Sequence, residues 1–304
     1  FKKLSPNIDT NTFFNIVNIK DFKHNSIKLI NGFLVSNNFE HEDENNIKIT
    51  VYKEDLTKKI NSDNPLINLN DAMFEGGYYL EINNKYKFSK PLVVYNYFSK
   101  NLKNTITNNK NIIVLKDESD LNLIEVGMDI TKDNFIINNY TNIKIGKNAS
   151  LKNFTVQLNK SNKFYYKFVK GSISEKGNYE DYIFSSGLKF NKTEQDIDIN
   201  GTEANCTIQS GLYLDFNSHQ EIKTLINHLK PNCTSYQKIK NVLNQGSKGA
   251  YQGKIFVKDI AQKTNAYQLS RALLLNDTSE FNAKPELEIY ADDVKCSHGS
   301  TSGS

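Results

Sequence analysis

The feature that most constrains this chain is a long succession of short β-type segments, each closed by turn-forming or charged residues. The first are Tyr79-Leu80-Glu81-Ile82, Leu92-Val93-Val94-Tyr95, Ile112-Ile113-Val114-Leu115 and Leu121 to Val126. Phe135-Ile136-Ile137, Ile143-Lys144-Ile145 and Leu151 to Val156 extend the series. The texture resumes at Ile173, Tyr182-Ile183-Phe184, Leu188-Lys189-Phe190, Ile197-Asp198-Ile199, Ala204 to Ile208 and Leu212-Tyr213-Leu214. β-Branched and aromatic residues bounded by Asn, Asp, Gly and Lys read as strands and turns. Only Leu269 to Leu275 interrupts them, as a helical turn. With few helices and no βαβ rhythm, residues 76–304 are expected to form an all-β core, and sandwich, barrel and β-helix all fit. Two features favour a solenoid. Turn signals separate nearly every pair of strands, and Asn-rich corners recur at Asn108-Asn109, Asn138-Asn139 and Asn148. No clean residue period emerges to support it.

Residues 1–75 read as a smaller region of mixed α/β character. Phe13 to Ile19 and Ile27 to Val35 are short apolar segments. Asn37 to Asn46 is a solvated acidic loop, and His41 within it is read as part of that loop rather than as a cation ligand. Ile47 to Tyr52 alternates like a half-buried strand. Leu66 to Phe74, with Asn70 or Asp71 as cap, reads as a short helix closed by Gly76-Gly77.

Composition narrows the function. The 304 residues can bury a substantial core, and 16 Tyr with 18 Phe set the chain apart from disordered sequences. A net charge of +4 with a single arginine, Arg271, is no nucleic-acid footprint. No apolar run approaches the ~18 residues that span a bilayer, so no membrane partner is expected. Cys206, Cys233 and Cys296 make an odd, widely spaced set, neither a disulfide framework nor a zinc finger. A reducing, cytoplasmic compartment follows as the simplest reading, with Cys206 and Cys233 as packing cysteines. The missing initiator Met suggests a fragment or a processed form.

Most candidate chemistry dissolves on inspection. Gly246 to Lys254 has a superficial likeness to a phosphate loop, but three residues rather than four separate Gly249 from Gly253. Ile255 also follows the lysine where Ser or Thr should hold magnesium. The segment reads as a tight turn opening the strand Lys254 to Val257, and ATP is not expected to bind this chain. No Gly-x-Ser-x-Gly elbow supports a hydrolase. Asp292 and Asp293 are adjacent and would point to opposite faces of a strand. Glu286 and Glu288 share a face, read as solvated beside Lys284. His219 and His228, nine apart on a helix-like stretch, do not share one well. Cys296-Ser297-His298 differs: if the strand Leu287 to Ala291 continues extended, positions 296 and 298 point to the same side. A thiol beside an imidazole is a pairing that lowers the thiol pKa and suits a soft metal such as iron.

The C-terminal third carries a resemblance. His228-Leu229-Lys230-Pro231-Asn232-Cys233-Thr234-Ser235 leads into Gly249-Ala250-Tyr251-Gln252-Gly253-Lys254-Ile255-Phe256-Val257. Ala261 to Gln268, Leu273-Leu274-Leu275-Asn276-Asp277 and Lys284 to Gly299 follow. In this order and spacing they closely resemble the SufB/SufD family of iron–sulfur cluster assembly proteins, densely over residues 228–301. Asn68 to Phe74 is also similar to the family's entry into its core. The resemblance implies a right-handed parallel β-helix core and a non-catalytic scaffold subunit. Such a subunit pairs with SufB through the C-terminal part of the β-helix and works with the ATPase SufC, which binds the ATP. Cys296-Ser297-His298-Gly299, where SufB-type chains carry Glu-His-Glu, implies the SufD branch. So does Ser270, where SufB-type chains have their essential cysteine. His298 matches the family histidine at the SufB–SufD interface, with Cys296 its neighbour; both are implied ligands of iron or a nascent cluster passing through, with no tightly bound cofactor. The family's SufC-binding helical segment lies past Gly299 and is absent from this sequence, and its N-terminal helical region is missing or shortened. The cytosol is the implied compartment, with a plastid or apicoplast stroma for a eukaryote. The rival readings are a SufB-like or degenerate scaffold without ligand role, and a carbohydrate-active β-helix enzyme.

Overall fold

The computed structural model describes residues 19–52, 62–99, 102–129, 134–158 and 161–303. The expected apolar segment Phe13 to Ile19 lies outside them but for its last residue. In chain order the strands are β1 (Asn25–Ile30), β2 (Phe33–Asn38), β3 (Ile47–Val51), β4 (Tyr78–Ile82), β5 (Leu92–Phe98) and β6 (Ile106–Leu115). Then come β7 (Asp120–Asp129), β8 (Ile136–Ile145), β9 (Ser150–Gln157), β10 (Ser161–Ile173), β11 (Asn178–Ser186), β12 (Leu188–Ile199) and β13 (Asn205–Leu214). The last are β14 (His219–His228), β15 (Thr234–Leu243), β16 (Lys248–Val257), β17 (Asn265–Leu274), β18 (Glu280–Ile289) and β19 (Lys295–Gly303). The α-helix α1 (Pro65–Met73) starts at Asn64, whose side chain accepts from the Leu66 N–H.

Alternate strands build two sheets. Sheet A runs β19-β17-β15-β13-β11-β9-β7-β5-β1-β2 and sheet B runs β18-β16-β14-β12-β10-β8-β6-β4-β3. From β4 onward every strand pairs in parallel with the strand two places along the chain, so the chain winds as a two-sheet parallel β-helix rather than a sandwich or barrel. Sandwich strands pair antiparallel and barrels close; from β5 onward the described strands do neither. Inward residues alternate with outward ones, as in the Cys206, Ile208, Ser210, Leu212 and Leu214 run of β13. Ile, Leu and Val from both sheets meet in a main core, and a separate cluster around Ile255, Val257 and Ala266 fills the C-terminal coils. At the N-terminal end β2 and β3 pair antiparallel with β1 and β4.

The hidden period lies in the corners. Lys85, Glu118, Asn148, Lys176, Glu203, Asn232 and Lys263 all take the left-handed conformation, with φ between 52° and 64°. Each sits at the turn leading from a sheet B strand to the next sheet A strand. Each donates its N–H to a carbonyl one coil further on, as from Asn148 to Glu175 and from Asn232 to Gln262. A non-glycine residue in this region costs roughly 1–2 kcal/mol; the inter-coil bond opposes that cost. From β5 onward the coil spacing varies between 26 residues, Phe164 to Phe190, and 32, Lys248 to Glu280. That variation is why no fixed repeat is legible.

Several local expectations are corrected. Asn148 is a corner, but Asn108, Asn109, Asn138 and Asn139 lie within β6 and β8. There they form ladders, Asn138 donating to Asn108 at 2.9 Å and Asn109 to Asn139 at 3.0 Å. Leu269 to Leu275 is no helical turn; it belongs to β17 and the residue after it. Strand β16 opens at Lys248, so Gly249 and Gly253 are strand residues and the turn is Asn244 to Ser247.

Helix α1 packs on the outer face of sheet B. Its Asn70, 1 % exposed, is neither cap nor surface residue. It donates to the carbonyls of Asn109 at 3.0 Å and Asn138 at 2.8 Å. Lys110 pairs with Asp71 and lies 5.0 to 5.7 Å from the ring centres of Phe74, Tyr52 and Tyr140. Asn70→Leu keeps the volume but strands two buried carbonyls, so urea unfolding should show a loss of about 1–3 kcal/mol. Limited proteolysis should then cut near α1 first; a loss below 0.5 kcal/mol would show that α1 is held by its apolar face alone.

Candidate functional site

The last described coil is formed by β18 and β19, at the ends of the two sheets as described. Two inward-facing columns of sheet A run down to that end. One contains Tyr179, Cys206, Ser235, Ala266 and Cys296, each in register with the next. The other contains Asn153, Asp181, Ile208, Gln237, Gln268 and His298. Positions 296 and 298 thus occupy the same side of β19, as their spacing predicts. They sit on a new strand rather than a continuation of the one before, because a corner at residues 290–294 follows β18.

Burial separates the two residues. Cys296 is half-buried against Ala261, Ala266 and Ala291, with Leu287 and Val294 beside it. Its thiol is pushed up by burial, opposed by a hydrogen bond with the Ala266 backbone. The expected lowering by the imidazole is not seen. His298 occupies an interior column but is exposed, since no coil covers it. Beneath it Gln268 is fully buried and held by two contacts: its amide donates to the Glu286 carbonyl at 3.2 Å, and Tyr251 Oη lies 3.1 Å from its oxygen. Ser270, also fully buried, donates to Ser300 at 2.9 Å. The floor under His298 is therefore fixed while the side chain faces outward.

Among the described residues no three of His, Cys, Asp and Glu converge as a metal site. Cys296 and His298 together offer one sulfur and one nitrogen donor, a set suited to iron or zinc. Further ligands would have to come from outside the described residues.

The remaining candidates take structural places. Cys206 is buried with its thiol pushed far up by desolvation, and Cys233 donates to the Gly201 carbonyl at 3.1 Å. His219 and His228 are the two ends of β14, not a helix, and an odd spacing puts them on opposite faces. His219 is 2.9 Å from Glu221 on the outer surface. His228 is buried, 2.9 Å from Ser235, and desolvation lowers its pKa to about 4. Glu286 and Glu288 are on the outward face of β18, paired with Lys284 and Lys254.

One constellation escaped the sequence reading. Glu125, Lys167 and Asp181 meet inside the coil. Lys167 Nζ is 2.8 and 2.9 Å from the two Glu125 oxygens. Asp181 accepts from Asn153 at 2.9 Å and from Gln195 at 2.6 Å. Desolvation, countered by Lys167, raises Asp181 to about 6. Burial disfavours the Lys167 charge, but the Glu125 carboxylate overrides it and holds the ammonium protonated. Asp181 is 1 % exposed. No polymer could reach it, which counts against the carbohydrate-enzyme reading.

Comparison with known proteins bears on the same end of the molecule. Residues 97–304 match the family described as SUF system FeS cluster assembly, SufBD core domain. A SufBD family protein of Synechocystis is 30 % identical over 164 residues, 52 % of this chain and 35 % of its own length. SufD of Escherichia coli is 35 % identical over 116 residues, 38 % of this chain and 27 % of its own. The chloroplastic protein ABCI7 of Arabidopsis thaliana is 28 % identical over 199 residues, 64 % of this chain and 41 % of its own. The chain thus spans between about a quarter and two fifths of these relatives. With more than half its length in that match, and the parallel β-helix it forms, the chain belongs to the SufBD core family of the SUF system for iron–sulfur cluster assembly.

Proposed function

We propose that the chain is a SufD-like scaffold subunit that pairs with SufB through the C-terminal part of its β-helix and acts with the SufC ATPase. The observation that carries this reading is the pair Cys296 and His298, which two inward columns of sheet A bring to one side of β19 in the last described coil. A partner seated there would add the missing donors around His298, whose imidazole can ligate iron, and would complete the desolvation of Cys296. Iron or a nascent cluster is cargo held between two subunits, and this chain makes no bonds by itself. The resemblance assigns ATP to SufC. The compartment fits the cytosol of a bacterium or a plastid stroma, since the relatives include bacterial and chloroplastic proteins. No described helix is long and apolar enough to cross a membrane.

The test is co-purification of the chain with SufB and SufC, followed by anaerobic iron–sulfur reconstitution of wild type and His298→Ala. The expected result is an intact complex whose cluster yield falls by about tenfold in the variant, because an imidazole ligand is lost while the fold is untouched. An unchanged yield in an intact complex would reduce the chain to architecture, and failure to form any complex would remove the SufD reading.

A further inference from the structure

The outer faces of the two sheets treat charge in opposite ways. On sheet B the outward lysines of the C-terminal coils are matched by neighbouring carboxylates. Lys192 pairs with Glu221, Lys248 with Glu280, Lys254 with Glu288 and Lys284 with Glu286. On sheet A the outward positions of β13, β15, β17 and β19 contain no Asp or Glu. They carry Lys238, Lys240, Arg271 and Lys295, and none of these four forms an ion pair among the described residues. Lys240 and Arg271, the only arginine, are register partners on adjacent strands. Like charges directly opposite destabilise a sheet.

The same face is unusually apolar for an outer surface. Tyr213, Val242 and Leu273 are successive register neighbours, and Tyr213 and Leu273 are 42 % and 47 % exposed. Tyr236 and Tyr267 stack at 5.4 Å between ring centres. Carboxylates near the face, such as Asp215 and Asp277, lie in the corners, outside its strands.

From uncompensated cations interleaved with aliphatic and aromatic side chains, we infer that the outer face of sheet A over β13 to β19 docks an acidic protein segment with apolar anchors. The cations supply steering and register, and the tyrosines and leucines supply the buried contact. This surface is separate from the open end of the stack, although β19 borders both. A nucleic acid fits it less well, because its cations do not form a continuous track and only one is an arginine.

The inference is tested with the full chain and a short fluorescein-labelled peptide of mixed Asp, Glu and Leu, read by anisotropy at low and moderate salt. A leucine-to-serine version of the peptide, single-stranded DNA and phosphatidylserine vesicles serve as competing probes. The expected result is salt-sensitive binding that weakens about tenfold in Lys240→Glu/Arg271→Glu. It should persist in Lys144→Glu/Lys230→Glu, which changes net charge equally but leaves the face intact, and should fall when the leucines are replaced. Equal binding by both double variants would overturn the inference, as would absence of peptide binding. Preference for DNA or vesicles, lost in the first double variant, would overturn it in favour of a phosphate-bearing partner.

Discussion

Lys167→Met should cost the chain about 3–5 kcal/mol, read as a fall in the urea midpoint with little change in slope. Lys167 is 3 % exposed at its side chain and Glu125 13 %, so neither can turn to solvent without opening the coil. Removing the ammonium leaves Glu125 beside Asp181 in the interior with no cation between them. The loss should shrink toward acid pH as Asp181, already raised by burial, takes up its proton. A companion variant isolates the cause: Lys167→Met/Glu125→Leu replaces the pair by apolar groups of similar size and should recover most of the loss. If the single variant costs less than 1 kcal/mol, water reaches this cluster and the ion pair does not hold the coils in register.

Asp181→Asn should do the opposite and stabilise the chain at neutral pH. The carboxyl is raised from 3.8 to about 6 by burial, so the folded state binds its proton more tightly than the unfolded chain does. Where the native state holds more protons, stability falls as pH rises. The penalty therefore builds between about pH 4 and pH 6 and stays constant above, amounting to about 3 kcal/mol at 1.36 kcal/mol per unit. An asparagine carries no such penalty. Its oxygen can still accept from Asn153, and the Gln195 oxygen, which lacks a partner, can accept from the new amide. The difference between variant and wild type should be near zero at pH 4 and reach its full value by pH 7. A difference that does not change with pH would show that Asp181 titrates normally and that its surroundings are wet.

The β character was legible because β-branched and aromatic residues alternate between turn signals; the solenoid was favoured only by its recurring turns and Asn-rich corners and by the family resemblance. Strand lengths were not legible, and the interior polar columns are the reason. Ile136-Ile137 and Ile143-Lys144-Ile145 read as two strands but are the ends of β8, joined by Asn138 to Asn142. Leu188 to Phe190 and Ile197 to Ile199 are likewise the ends of β12, joined through Thr193 and Gln195, which point inward. An inward Asn, Thr or Gln breaks the apolar alternation that a sequence displays, and its hydrogen bonds appear only when the next coil is in place. The corners hid for a similar reason. Left-handed residues are usually Gly or Asn, yet here Lys and Glu hold most of those positions, stabilised by a bond to a neighbouring coil that local sequence does not encode. Cys296 and His298 were legible as a same-side pair from spacing alone. Their unequal burial was not, since it depends on which coil lies above them.

The open end also has a thermodynamic meaning. In a stack whose units touch only their neighbours, stability is approximately a sum of unit and interface terms. Among the described coils, the one formed by β18 and β19 has one interface where an interior coil has two, so as described it opens at a lower free energy than the interior coils. Whatever seats on it supplies the missing nearest-neighbour coupling. If iron or a cluster binds at Cys296 and His298 as proposed, its capture and the association of a partner at this coil would each favour the other by the same factor.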